Sequence, residues 1–177
     1  MDVSIIIVNW NTRLLLDRCL CSIEAGVGGL AAQVLVVDNG STDGSAELVA
    51  GEFPQVELVR NQENLGFARA NNQAYGRAQG RYVLLLNPDT ELRGEAVKQM
   101  VRFLDTDRQR AGVTAVLRNP DGTLQRYHKR LPRWSYVLWS ETLLRNLVPC
   151  NRWVREFYML DEPFDVVTEI EQPPAAC

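Results

Sequence analysis

The amino-acid sequence predicts an α/β fold built on a mostly parallel sheet flanked by helices, and three observations carry that prediction. Short apolar, β-branched runs alternate with helical patterns through the first part of the chain. Two of the runs, Ile5-Ile6-Ile7-Val8 and Val83-Leu84-Leu85-Leu86, are apolar on both faces, as central strands are when helices cover both sides of a sheet. Each main run is followed at once by polar residues, which suits the carboxyl ends of strands, where open α/β sheets bind their ligands.

The elements follow in order. Strands are expected at Val3–Val8, Val34–Val37, Val56–Val59 and Tyr82–Leu86, with a fifth at Val113–Leu117. Helices are expected from Thr12 to Glu24, Ser45 to Gly51, Leu65 to Gln79 and Glu95 to Leu104. Asp43-Gly44-Ser45 reads as a turn and cap before the second helix, because small polar side chains accept bonds from the free amides of a first turn. After about Asn119 the pattern changes. Asn119-Pro120-Asp121-Gly122 signals a hairpin turn, and Pro132 to Pro149, with Trp134, Val137, Leu138, Trp139, Leu143, Leu144 and Leu147, reads as an aromatic-rich amphipathic helix. The expected division is a core of residues 1–131 and a C-terminal part of residues 132–177, with the last six residues poorly ordered.

Composition excludes several classes. The chain has 177 residues, 46% of them hydrophobic, which is enough for one buried core. A net charge of −3 provides no general attraction for nucleic acid, although Arg118, Arg126, Lys129, Arg130 and Arg133 form a local basic stretch. The opening apolar run has no basic leader and breaks at Asn9, which predicts a cytoplasmic chain. Cys19, Cys21, Cys150 and Cys177 fit no zinc-ligand spacing, and they read as reduced structural thiols. The single histidine, His128, has no recognisable partner for acid–base chemistry.

The polar residues after the strands form one set: Asn9-Trp10-Asn11, then Asp38-Asn39-Gly40-Ser41-Thr42-Asp43, then Asn87-Pro88-Asp89-Thr90. A dinucleotide-binding turn or a phosphate loop needs glycines after the first strand, and the bulky Asn-Trp-Asn there argues against both. Carboxylates after the second and fourth strands suit a nucleotide diphosphate held partly through a hard cation, with Asp89 as candidate ligand. Turn chemistry alone would read Asp38 and Asp43 as caps, and Asn71 and Asn72 as solvent-facing helix residues.

Four segments in order resemble successive motifs of the family 2 inverting glycosyltransferases: Val3–Asn11, Val36 to Ser45, Asn64 to Asn72 and Leu86 to Leu92. The rhamnosyltransferase-like branch is the most similar. The resemblance covers about residues 3 to 130 and implies a GT-A (Rossmann-like) fold, a nucleoside-diphosphate sugar donor of the UDP or dTDP type, and Mg²⁺ or Mn²⁺. It implies that Asp38 hydrogen-bonds the imide edge of a uracil or thymine base, with Asn9 and Asn11 shaping the base and ribose pocket and Arg69 and Asn72 beside the nucleotide. Asn87 and Asp89 then occupy the metal-binding Asp-x-Asp position, with a neutral amide as its first member.

The acceptor implied is a cell-surface polysaccharide or a lipid-linked glycan. The catalytic base is expected beyond Cys177, so the C-terminal part reads as incomplete, and self-association or low stability is expected from the exposed apolar surface. The Pro132–Trp153 segment packs its apolar face internally on the preferred reading and rests on the inner face of a membrane on the alternative. A nucleotide-sugar-binding module dependent on a partner chain for catalysis is the competing function. A sugar nucleotidyltransferase lacks support, because the glycine-rich basic signature after the first strand is missing.

Overall fold

The computed structural model describes residues 1–125, 129–136, 151–161 and 167–170. The chain divides into two compact units, Met1–Val113 and Thr114–Ala175.

In the first unit, strands β1 (Val3–Asn9), β2 (Ala32–Asn39), β3 (Glu57–Asn61) and β4 (Tyr82–Leu86) alternate with helices α1 (Arg13–Val27), α2 (Ser45–Glu52), α3 (Phe67–Tyr75) and α4 (Ala96–Asp105). The four strands form one sheet in the order β3-β2-β1-β4, and every pairing is parallel. All four carboxyl ends therefore open on one edge. In register, Asn9 faces Asp38 across β1 and β2, while Asn39 faces Asn61 across β2 and β3.

Two apolar layers hold the sheet. On one face Val3, Ile5, Ile7 and Val36 pack with Leu16, Cys19, Leu20 and Ile23 of α1, Val49 of α2, and Val97 and Val101 of α4. On the other, Ile6, Leu35 and Val37 meet Ala70 and Ala74 of α3, whose small side chains let that helix lie close. Because successive strand residues point to opposite faces, Asp38 belongs with the α1 side and Asn39 with the α3 side.

Helix ends depart from the expected limits for local reasons. Helix α1 runs on to Val27 and stops at Gly28, whose φ of 57° supplies the left-handed cap. Helix α3 is shorter than expected, held between Gly66 at φ 83° and Gly76. Below it, a Cβ on Gly80 would lie 2.3 Å from the Ser4 backbone nitrogen, so only glycine lets the chain pass the start of β1.

Two expectations are corrected. Strand β4 is an edge of the described sheet, and its apolar character on both faces does not mean cover on both: Val83 and Leu85 are 37% and 39% exposed, because α3 sits over β1 and β2 instead. No fifth strand forms at Val113–Leu117. Its last residue instead leads into the following hairpin, in which Gln125 N donates to Leu117 O at 3.0 Å and Asn119 N to Thr123 O at 2.8 Å. That hairpin is the expected one, closed by an antiparallel bridge between Arg118 and Leu124, with Gly122 at φ 86°.

In the second unit, residues 134–136 are helical, and the rest of the anticipated helix, through residue 149, lies outside the described residues, as do Arg126, His128, Cys150 and Cys177. A further helix, α5 (Arg152–Phe157), is capped by Asn151, whose side chain accepts from Val154 N at 3.0 Å. Phe157 of α5 packs its ring 5.3 Å from that of buried Tyr136.

Candidate functional site

The carboxyl edge of the sheet carries a buried polar cluster centred on Asp38, which is 3% exposed. Asn9 Nδ2 donates to Asp38 Oδ1 at 2.9 Å, and Ser41 N donates to Asp38 Oδ2 at 3.0 Å. Ser41 Oγ accepts from Asn9 Nδ2 at 3.1 Å and from Asn11 N at 2.9 Å. The Asn9 Oδ1 accepts from Thr12 Oγ1 at 2.6 Å, so the buried asparagine is satisfied on both ends. Asn11 adopts φ 54°, a left-handed conformation that asparagine tolerates, and its Oδ1 accepts from Thr42 N at 2.8 Å. Loops after β1 and β2 are thereby tied into one rigid rim.

Asp43 closes the same rim from below. Its carboxylate accepts from Arg13 N at 2.8 Å, which caps α1 from another segment, and from Ser45 N at 3.0 Å, which caps α2. Partial burial acts to raise the Asp43 carboxyl, but the Ser45 hydroxyl together with the Arg13 and Ser45 amides outweighs it, and the group sits below its ordinary value.

After β4, Thr90 N and Oγ1 both donate to Asn87 O, at 3.2 and 2.6 Å, folding Asn87-Pro88-Asp89-Thr90 into a turn with Asp89 at its exposed apex. Among the described residues neither the Asp89 carboxylate nor the Asn87 side-chain amide has a hydrogen-bond partner. Beneath the turn lies Cys19, its thiol directed at Asn87 O at 3.7 Å. Burial, reinforced by the negative charges of Asp89 and Glu91, pushes that thiol up to about 12, so it stays protonated and inert. Strands β2 and β4 flank β1, so the Asp38 cluster and the Asn87–Thr90 turn stand about 10 Å apart, two strand spacings.

The structure thus brings Asn9, Asn11 and Asp38 into one network, with Asn87 and Asp89 at a neighbouring strand tip. Arg69 lies exposed in the first turn of α3, on the opposite face of the sheet from Asp38 but at the same edge. Asn72 stands apart from these. It lies midway between the sheet-facing Ala70 and Ala74, and on a helix of 3.6 residues per turn that position is turned to solvent. Sequence reasoning missed Ser41 as the hub of the rim, since a serine in a turn carries no signal of where its hydroxyl points. It also missed the amides of Asn39, Asn61, Asn64 and Gln73, which bond to one another behind the rim.

Among the described residues no group of three or more His, Cys, Asp or Glu side chains could hold a metal ion. An exposed carboxylate without a partner at Asp89 and a free amide oxygen at Asn87 fit the mode in which a hard cation takes one or two protein ligands and fills its sphere with phosphate oxygens and water. In the second unit, an open cavity of about 420 Å³ is lined by Arg130, Arg152, Arg155, Glu156, Met159 and Asp161. Its charges are partly internal, since Arg155 pairs with Asp161.

Residues 4–158 match the family described as Glycosyl transferase family 2. The chain is 30% identical over 107 residues to the succinoglycan biosynthesis protein ExoO of Rhizobium meliloti, covering 59% of this chain and 30% of that protein. It is 25% identical over 128 residues to the N-acetylglucosaminyl-diphospho-decaprenol L-rhamnosyltransferase of Mycobacterium tuberculosis, covering 66% of this chain and 41% of that one. The chain spans less than half the length of either relative. Among solved structures, the mannosyltransferase PcManGT from Pyrobaculum calidifontis, in complex with GDP-Man and Mn²⁺, superposes with a TM-score of 0.54 at 26% identity, covering 67% of this chain and 36% of that one. The S. aureus TarS fragment 1-349 in complex with UDP-GlcNAc, at 24% identity, shares the fold with a TM-score of 0.55, covering 61% and 32%.

Proposed function

The chain belongs to glycosyl transferase family 2, and from that premise we propose that its carboxyl edge binds a nucleoside-diphosphate sugar of the UDP or dTDP type for inverting transfer to a cell-surface polysaccharide or lipid-linked glycan. One observation carries this reading: the buried Asn9–Asp38 pair, tied to Ser41, shares a sheet edge with the Asp89 carboxylate, which has no hydrogen-bond partner among the described residues.

In this reading Asp38, held rigid by Asn9 and Ser41, presents the rim against which the pyrimidine base seats. Asn11 shapes the ribose side, and Arg69 flanks the nucleotide from α3, while Asn72, on the solvent side of that helix, has no part in this reading. Asp89, with Asn87 beside it, holds Mg²⁺ or Mn²⁺. The cation, when bound, supplies charge stabilisation for the departing diphosphate. A pre-tied rim lowers the ordering cost of binding, because the side chains that meet the ligand are already fixed. A carboxylate takes the proton of the incoming hydroxyl. The rhamnosyltransferase-like branch is the preferred subtype, supported by the Asn-Pro-Asp form of the metal motif and by likeness to the mycobacterial rhamnosyltransferase.

A cytoplasmic location accompanies this proposal, with peripheral contact at the inner face of a membrane as the alternative to internal packing of the Pro132–Trp153 segment. Among the described residues no helix is long and apolar enough to cross a membrane. Trp134, 91% exposed, stands in one stretch with exposed Lys129, Leu131 and Arg133, the basic-aromatic mixture that suits an anionic bilayer surface.

The deciding experiment is a thermal-shift series with UDP-, dTDP- and GDP-sugars in the presence of Mn²⁺ or Mg²⁺. Ligand binding to the native state raises its stability by mass action. A metal-dependent upward shift with a uridine or thymidine donor is expected, and no shift with any of the three would overturn the reading.

A further inference from the structure

Asn39, the last residue of β2, is 2% exposed and directs its side chain away from Asp38, toward α3. Its Nδ2 donates to Asn64 Oδ1 at 2.8 Å, and its Oδ1 accepts from Asn61 Nδ2 and from Leu65 N, each at 3.1 Å. Asn64 Oδ1 also accepts from Gly66 N at 2.9 Å. Asn61, at the end of β3, forms a reciprocal amide pair with Gln73 of α3, at 2.9 and 3.1 Å. One buried amide therefore joins two strand ends to the turn that launches α3, and a second pair holds that helix a turn and a half further on.

The geometry points to Asn39 as a positioning residue that sets the Asn64-Leu65-Gly66 turn, and through it the placement of Arg69 at the nucleotide edge. This rests on the donor-binding reading above. The chemistry demands an amide. Oδ1 receives two N–H donors while Nδ2 must donate to an oxygen, and only a side chain with both functions meets the three partners. An aspartate would place a carboxylate oxygen 2.8 Å from Asn64 Oδ1, acceptor against acceptor, in a buried position. Turning over the Asn64 amide offers no relief, because its NH₂ would then face Gly66 N. The strained turn must shift, and the first turn of α3, which begins at Phe67, shifts with it.

The test compares binding of uridine diphosphate with Mn²⁺ by calorimetry in the wild type, N39D, R69A and the N39D/R69A pair. N39D is expected to weaken binding about tenfold, the scale of one buried hydrogen bond turned unfavourable. In the R69A background the same change is expected to cost little, since the group it positions is gone. Equal losses in both backgrounds would mean that Asn39 is only structural and would overturn the inference. Asn64→Ala, at an exposed position, removes the same acceptor without endangering the core and is expected to match N39D in affinity with an unchanged far-ultraviolet spectrum. Wild-type binding by N64A overturns the inference even if N39D fails to fold. A wild-type chain that binds none of UDP, dTDP and GDP overturns the donor reading and this inference with it, whereas binding that survives N39D intact overturns the inference alone.

Discussion

Asn9 and Asp38 face each other in register across β1 and β2, and the amide of the first donates to the carboxylate of the second at 2.9 Å. Both are buried, so neither can exchange its partner for water. Asp38→Ala leaves the Asn9 amide and the Ser41 N–H without that acceptor, at a cost of about 1–3 kcal/mol for buried groups left unmade. A lowered urea midpoint is expected together with loss of the UDP-dependent thermal shift. A variant with wild-type stability would show that water replaces the carboxylate.

Two glycines are expected to respond in opposite directions to alanine. Gly40 has φ 79°, and a Cβ there would lie 2.9 Å from the backbone of Glu63, so Gly40→Ala combines strain with a clash and should cost about 1–3 kcal/mol. Gly51 lies inside α2 with nothing within 4 Å of its Cβ position, so Gly51→Ala should stabilise by about 0.4–1 kcal/mol. Chemical denaturation of the two variants side by side checks both, and equal effects would refute the distinction.

The rim's acid sensitivity is set in part by Asp43. Its carboxyl is held below the ordinary value in the folded chain, so its contribution to stability is complete above the ordinary carboxylate range and is lost as pH falls through the lowered value. Asp43→Asn is expected to flatten the decline of the urea midpoint below about pH 4. An unchanged acid limb would place the sensitivity elsewhere.

Asp89 separates ligand chemistry from folding. Its carboxylate accepts no hydrogen bond among the described residues, so Asp89→Asn should leave the midpoint of the unliganded chain within about 0.5 kcal/mol of wild type. The Mn²⁺-dependent part of the donor shift should disappear. Retention of that part would exclude Asp89 as a ligand.

The exposed basic-aromatic stretch predicts binding to vesicles that contain anionic lipid. Trp134→Ala and Lys129→Ala should each reduce flotation, and equal recovery with neutral vesicles would argue against charge as the attraction.

Much of the architecture was legible because it follows from periodicity. The continuous apolar run Ile5 to Val8 is fully consistent with a strand covered on both faces, and the polar breaks at Asn9, Asp38 and Asn87 mark the edge where the strands end. The same pattern misled at β4, since Val83 and Leu85 carry central-strand side chains at an edge of the described sheet, and apolar character does not reveal which neighbours arrive. Val113–Leu117 looked like a strand by composition, but composition does not supply a partner strand, and the hairpin beyond it claims the Leu117 carbonyl. Within the site, the carboxylates stood out by type, whereas Ser41 and Asn39 act through the direction of single hydrogen bonds, which no one-dimensional pattern encodes.

The all-parallel arrangement has a practical corollary. With every polar tip gathered on one side, the far side of the sheet is made of simple connections such as the one from Gly28 to Ala31, where Gly29 and Ala31 are exposed. A fluorophore or surface tether attached at Ala31, which lacks the left-handed backbone of Gly28 and Gly29, would report on or immobilise the protein without crowding a ligand at the opposite edge.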